Sequence, residues 1–487
     1  MKKALEFAET LANEYSDLLD GKTLQKVFKD HPTDSYQSSY AGGTIKLKAM
    51  GAIAPAFAIR ELIIGTRSGH NADYWGACEP KFKLRPLWIG CDTDVPIGDC
   101  AIGVPHYLIE NSENVETFCQ RLIELGYNAV VFGKKGTDLK KAHADIHALF
   151  RLLRNYGVKT IIRIEDKVPD IECDYIFCES QKDRVRSKET EVERKLGEVK
   201  KLESLGKPVI YFLNAEGVDD AQRQKQWMSE LCDEVGPKTI LAFPGMVDGR
   251  LHPYWNTLRE MPDASSTPLL PIVNIGNVGF GEGLWPSLNI HVLKKVFSQM
   301  RRHEFAGIIG IVNQLPKREG LLDCTLWAAS QFLWRGEVLE RSVESWFLAN
   351  KWEYTLDFER VDRLVSDLQE LRIKDELSAD EAKASVESFV AQLKEIQVKL
   401  GIEERKKLKK DDLSFYDYFI YFERDARRLI VQFLQKHHVA LASVLGNDDP
   451  GEGFWTLPPK AGKVDLLAEP NKGNGVMSKI YYDNRLF

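Results

Sequence analysis

The chain has no stretch of about 18 consecutive apolar residues, so its sequence predicts no membrane-spanning helix and no membrane partner. It does not open like a secretory leader either: Met1-Lys2-Lys3 is followed by Glu6, Glu9 and Glu14, which interrupt the apolar core a leader needs. Its eight cysteines (78, 91, 100, 119, 173, 178, 232 and 324) are scattered, and several fall inside apolar runs. With neither a CxxC pair nor a Cys/His quartet, they argue against structural zinc and a disulfide framework and predict buried thiols in a reducing, cytoplasmic setting. His143 and His147 stand at i, i+4 but lack a third ligand, so no metal is expected. A basic stripe is missing too: 66 Lys+Arg against 72 Asp+Glu give a net charge of −6, which argues against nucleic acid as a partner. No glycine-rich dinucleotide turn follows an early strand. The nearest candidate, Gly276 to Gly283, follows a late one and opens no helix, so no cofactor is expected.

What is present is strand–helix alternation. The segment from Phe305 to Trp352 holds an apolar strand (Gly307 to Val312) ending in Asn313-Gln314, a helix from Leu322 to Trp334, and an amphipathic helix with Trp346 and Trp352. Further runs with strand character are Pro86 to Gly90, Ala129 to Phe132, Thr160 to Ile164, Tyr175 to Cys178, Val209 to Leu213, Thr239 to Phe243 and Leu269 to Val273. Eight strand–helix units in about 230 residues predict a (β/α)8 barrel, with a doubly wound sheet as the alternative. We divide the α/β chain into a small N-terminal α/β unit (1–84), the barrel (85–339), a helical C-terminal region (340–445) and an extended arm (446–487). The N-terminal unit is predicted to hold helices at Lys3–Leu19 and Ala54–Ile64 and a strand from Gly43 to Lys48. The C-terminal helices are Leu356–Leu371, Ala379–Leu400 and Ser414–His437.

Functional groups of such barrels collect just past the C-terminal ends of the strands. Taken in order, those positions hold Asp92 and Asp94; Lys134 and Lys135; Arg163, Glu165 and Asp166; Glu179; Asn214 and Glu216; Asp248; Asn274 and Asn277; and Asn313 and Gln314. His252, Tyr254, Trp255 and Trp285 lie close by. A mouth of carboxylates, amides and tryptophans suits carbohydrate: hydroxyls take paired polar partners and sugar C–H faces stack on flat rings. Hydrolysis of a glycosidic bond needs one carboxyl as acid and another as base or nucleophile. Each position also has an ordinary structural role: Glu179 can pair with Lys182, Arg184 or Arg186, Asp248-Gly249 is a turn dipeptide, and Asn313 can close its strand. Glu216 reads equally well as part of a helix entry, and Trp285 as buried packing. Trp327, Trp334 and Trp346 sit at helical spacings and are expected in the core.

The segment after strand eight, with its Asn-ended strand, Leu-Trp-Ala-Ala helix and Trp-containing second helix, resembles the end of the catalytic barrel in the α-glucuronidases of the glycoside hydrolases. Phe243-Pro-Gly-Met-Val-Asp-Gly-Arg-Leu-His-Pro-Tyr-Trp is similar to that family's strand-six loop, and Cys178-Glu179-Ser180 falls where it carries an acid after strand four. The resemblance covers roughly residues 50 to 440. It implies a two-carboxylate hydrolase with Glu179 as general acid, Asp248 as base, inversion of configuration and no cofactor. Asp92, Asp94, Arg163, Asn214, Glu216, Asn274, Trp285 and Asn313 would then contact the sugar. It also implies possible association of two copies through the C-terminal helices. Two positions depart from the family: Tyr175-Ile176-Phe177 and Leu241-Ala242-Phe243 stand where it carries basic residues, and Asn274-Ile275-Gly276-Asn277 where it has a second acid. The alternative reading is therefore a non-catalytic relative that binds carbohydrate or protein.

Overall fold

The computed structural model describes residues 2–19, 21–89, 112–132, 144–164, 172–179, 191–213, 229–247, 250–252, 254–260, 267–275, 278–280, 283–285, 290–300, 305–312, 321–336, 340–350, 377–399, 430–431 and 433–440, with positions 360, 364, 367 and 444. Helix α1 (Lys2–Ser16) is followed by strands β1 (Thr23–Lys29), β2 (Ser35–Ala41) and β3 (Thr44–Met50), helix α2 (Ala54–Ser68) and the short β4 (Gly76–Cys78). The four strands form a sheet of order β1-β3-β2-β4, in which β1 and β3 run parallel and the other pairs are antiparallel. Only β3 is legible in the sequence. β1 mixes its apolar residues with lysines and β2 is rich in serine, so neither presents the apolar run that marked the barrel strands. Alternation turns Ile45, Leu47 and Ala49 into the core and leaves Lys46 and Lys48 exposed.

Eight parallel strands then close into a barrel: β5 (Pro86–Ile89), β6 (Ala129–Phe132), β7 (Lys159–Ile164), β8 (Tyr175–Glu179), β9 (Val209–Phe212), β10 (Thr239–Pro244), β13 (Leu269–Asn274) and β16 (Ile309–Val312). The closing pair is β16 with β5, where Ile311 lies level with Trp88. Each agrees with its predicted strand to within one or two residues. The reason is visible in β6, Ala-Val-Val-Phe, which is buried on both faces. Ala129 and Val131 pack inside the barrel, while Val130 and Phe132 join the outer core against the helices. A parallel strand covered on both sides must be apolar throughout, and such runs stand out in a sequence.

The outer helices are α3 (Ser112–Glu124), α4 (Ala144–Asn155), α5 (Glu191–Glu203), α6 (Tyr254–Glu260), α7 (Ile290–Gln299) and α8 (Leu321–Arg335), and residues 229–234 are helical between β9 and β10. Two short hairpins, β11 (Met246–Val247) with β12 (Arg250–Leu251) and β14 (Val278–Phe280) with β15 (Gly283–Trp285), decorate the strand ends. Helix α9 (Glu340–Ala349) packs on α2 and α8, and α10 (Ala379–Lys399) buries Ala382, Val386, Phe389 and Leu393. Trp327, Trp334 and Trp346 are all in the core, as their spacing predicts. So are the six described cysteines, all with free thiols.

Helix α2 joins the N-terminal unit to the barrel. Pro55 opens it, where a missing N–H costs nothing, and Gly69 ends it in the left-handed conformation. Nearly every side chain from Ala54 to Leu62 is buried because the sheet covers one flank and barrel helices the other. Its Phe57 stacks on Trp334 of α8 at 4.3 Å. Two charged residues are buried beside it. Arg60 pairs with Glu124 of α3 at 2.8 Å and Asp323 of α8 at 2.6 Å, and Arg121 faces the same two carboxylates. Glu61 accepts from Tyr36 of β2, from Gln331 at 2.9 Å and from Arg335. Burial and the negative Glu61 beside it push the Tyr36 phenol well above its ordinary value, keeping it a neutral donor.

Candidate functional site

The barrel interior below the mouth is aromatic on one side and aliphatic on the other. Trp88 of β5, Phe177 of β8 and Phe212 of β9 form a chain, with ring centroids 5.0 Å apart for Trp88–Phe177 and 5.9 Å for Phe177–Phe212. On the strands that continue the ring, Ala242 is level with Phe212 and Ile311 with Trp88, and Ile272 joins the same inner cluster. Arg163, one residue before the end of β7 and level with Phe177, extends over the Trp88 ring with its guanidinium carbon 5.4 Å from the centroid. It is 5 % exposed. Among the described residues of the eight strands, it is the buried charged side chain nearest the mouth. A buried cation on an aromatic face gains a cation–π contribution, and its field favours the ionised form of any carboxylate brought close. Of the strand-end positions drawn from the sequence, Arg163 is thus, among the described residues, the one whose side chain is placed by contacts.

Glu179 is the last residue of β8, its Cα paired with Phe212 at the end of β9. Asn274 is the last residue of β13, paired with Ile311, and Trp285 ends β15 opposite Val278. The backbones of these three are described and their side chains are not. Asp92, Asp94, Asn214, Glu216, Asp248 and Asn313 lie outside the described residues. Between β10 and α6, β11 and β12 form a short antiparallel hairpin in which Val247 pairs with Arg250. That hairpin follows β10 directly and returns the chain to His252, whose N–H donates to the carbonyl of Gly245 at 3.2 Å.

His252 is held in a defined state. Its Nδ1 accepts the N–H of Tyr254 at 3.2 Å, and its ring stacks on the Tyr254 ring at 5.3 Å. An acceptor Nδ1 leaves the proton on Nε2. Burial lowers the imidazole to about 4, so the ring is neutral in ordinary buffers. Trp255 completes the corner by donating Nε1–H to the Gly245 carbonyl at 2.7 Å. Trp88, Phe177 and Phe212 were not among the positions drawn from the sequence. The signal that would have found them is strand parity: counting back by twos from Glu179 reaches Phe177.

Among the described residues, no group of three or more His, Cys, Asp or Glu could hold a metal ion, and no helix is long and apolar enough to cross a membrane.

No protein-family description matches the chain, and no curated protein is similar to it. Solved structures are. A GH138 enzyme targeting pectin rhamnogalacturonan II superposes with a TM-score of 0.54 at 9% identity, over 89% of this chain and 68% of that one. A mutant Streptomyces plicatus β-hexosaminidase in complex with product gives a TM-score of 0.41 at 10% identity, over 71% of this chain and 89% of the other. A Thermobaculum terrenum O-GlcNAc hydrolase mutant gives 0.40 at 14% identity, over 73% and 87%. At these identities the likeness is one of fold, and with the GH138 enzyme it extends over most of this chain.

Proposed function

We propose that the chain is a glycoside hydrolase working with two carboxyl groups at the C-terminal mouth of the barrel. The observation that carries this reading is the closed parallel barrel, whose strand β8 ends at the candidate acid Glu179; the candidate base Asp248 follows Val247 of β11 in the chain. Functional side chains of this fold gather at those ends, and the fold is shared with an enzyme that targets pectin. Glu179 protonates the leaving oxygen and Asp248 activates water on the opposite face of the sugar. Strands β8 and β10 are separated by β9 alone, so their ends stand about 9–10 Å apart by two strand spacings. Inversion is the outcome the α-glucuronidase resemblance implies, and it calls for carboxyl groups about 6.5–9.5 Å apart, against the 5–5.5 Å of retaining enzymes. The aromatic floor of Trp88 and Phe177 supplies a low-dielectric base for the pocket, and Arg163 keeps a nearby base ionised.

The test is hydrolysis of a panel of aryl α- and β-glycosides, uronides included, by the wild type, Glu179→Gln and Asp248→Asn. Turnover by the wild type that falls at least about 10²-fold in each variant supports the assignment. Full activity in either variant removes that residue from the mechanism. No turnover on any substrate by folded wild-type protein overturns the enzyme reading in favour of a binding protein.

A further inference from the structure

We propose that the outer face of the N-terminal sheet binds an extended acidic polysaccharide. The inner face of this sheet is covered by α1 and α2, and the outward residues of its strands are exposed. Those residues include Lys46 and Lys48 on β3 and Lys29 on β1. Lys46 and Lys48 are two residues apart on one strand, about 7 Å along it, and Lys29 lies on the neighbouring strand diagonally beyond Lys48. Register sets Gln25 and Ser39 on either side of Lys46, and Gln37 beside Lys48. Lys46 thus has an amide and a hydroxyl beside it, groups that pair with a sugar acid's carboxylates and hydroxyls, and Lys48 lies between Gln37 and the exposed Val27, an apolar surface for a sugar C–H face.

The composition of the sheet is what sets this face apart. The chain as a whole holds 72 Asp and Glu in 487 residues and carries a net charge of −6. None of the four strands, Thr23–Lys29, Ser35–Ala41, Thr44–Met50 and Gly76–Cys78, contains one. The remaining strand lysine, Lys26, points to the other side and is held by Glu9 at 2.8 Å and Asn13 at 2.7 Å. Among the described residues, Lys29, Lys46 and Lys48 have no ion-pair partner. An otherwise acidic protein repels polyanions over most of its surface, so a local face of this sign is where such a chain would be held. A flat sheet offers an extended ligand successive contacts at strand spacing, and several weak contacts along one chain add up. The choice of a glycan over other polyanions rests on the carbohydrate reading of the barrel. The face itself belongs to the N-terminal sheet and not to the barrel strands.

The experiment is native electrophoresis of the full chain through gels containing polygalacturonate, with dextran gels as the neutral control. The wild type is expected to be retarded by polygalacturonate alone, and less so as salt is raised. Lys46→Glu with Lys48→Glu should weaken retardation about tenfold or more, because two attractive contacts become repulsive. Lys200→Glu with Lys201→Glu, an equal charge change on exposed positions of α5, should leave it intact. No retardation of the wild type, equal loss in both double variants, or equal retardation by DNA at the same charge density overturns the proposal. Turnover of small aryl glycosides should be the same in the Lys46/Lys48 variant as in the wild type. Retardation without any turnover would retain this face and remove the hydrolase reading, and turnover without retardation would do the reverse.

Discussion

Asp323 is the residue on which the join between the N-terminal unit and the barrel is most exposed to a single change. Its carboxylate is fully buried and faces Arg60 at 2.6 Å, Arg121, and the indole N–H of Trp346 at 2.8 Å. Two guanidinium groups are balanced there by two carboxylates, Asp323 and Glu124. Asp323→Asn keeps the shape and an oxygen for Trp346 but leaves both cations sharing Glu124. One uncompensated buried charge costs about 3–5 kcal/mol, a large part of the roughly 5–15 kcal/mol that holds a typical domain folded. The second arm of the test adds Arg121→Met. This returns the cluster to one cation and one anion, so the double variant should recover at least about 2 kcal/mol of the loss. Urea unfolding followed by tryptophan fluorescence reads the effect directly, since Trp346 and Trp327 lie in this cluster. A single-variant cost below about 1 kcal/mol, or a double variant no more stable than the single, would refute the charge-balance argument.

Gly126 and Gly69 make a matched pair, because both hold φ near +80° but only at Gly126 would an added Cβ be crowded, by Trp334 and by Phe57 at 2.9 Å. Thermal melts should therefore show Gly126→Ala costing about 2–4 kcal/mol and Gly69→Ala about 1 kcal/mol; equal costs would mean the packing argument is wrong. His252 has a folded value of about 4, below the unfolded 6.5, so the unfolded chain binds the proton first. Its contribution is whole above about pH 6.5 and shrinks as pH falls toward 4, by roughly 1–2 kcal/mol once partial exposure is allowed for. Urea midpoints at pH 7 and pH 5 should differ less in His252→Gln than in the wild type, and an unchanged difference would exclude His252 as the group responsible. On the proposed mechanism, Arg163→Met removes a buried cation that favours an ionised base, so the acid limb of the rate profile should move to higher pH. An unshifted limb would show that Arg163 does not act on the base.

The barrel strands were legible in the sequence for the same reason that they are stable. A parallel strand buried on both faces is a short apolar run, as in Ala129–Phe132, and eight such runs separated by helical patterns leave little freedom of topology. The tryptophans of α8 and α9 were legible as core through their helical spacing. The N-terminal sheet was not: strands such as Thr23–Lys29 and Ser35–Ala41, half open to water, take whatever residues their outer face tolerates. The candidate site was legible only as positions along the chain. Glu179 and Asp248 could be assigned to strand ends because the ends of apolar runs are local features.

Which residues meet was decided by tertiary structure. That Arg163 rests on Trp88, 75 residues earlier in the chain, follows from the pairing of β5 with β6 and of β6 with β7, which brings the two residues two strands apart in one sheet. The four-membered cluster of Arg60, Arg121, Glu124 and Asp323 is likewise invisible in any window of sequence, where each looks like a residue for a solvated helix face. Sequence periodicity is a local property and fixes the elements. Pairing of buried charges depends on distances between elements far apart in the chain, and only the closed fold sets those.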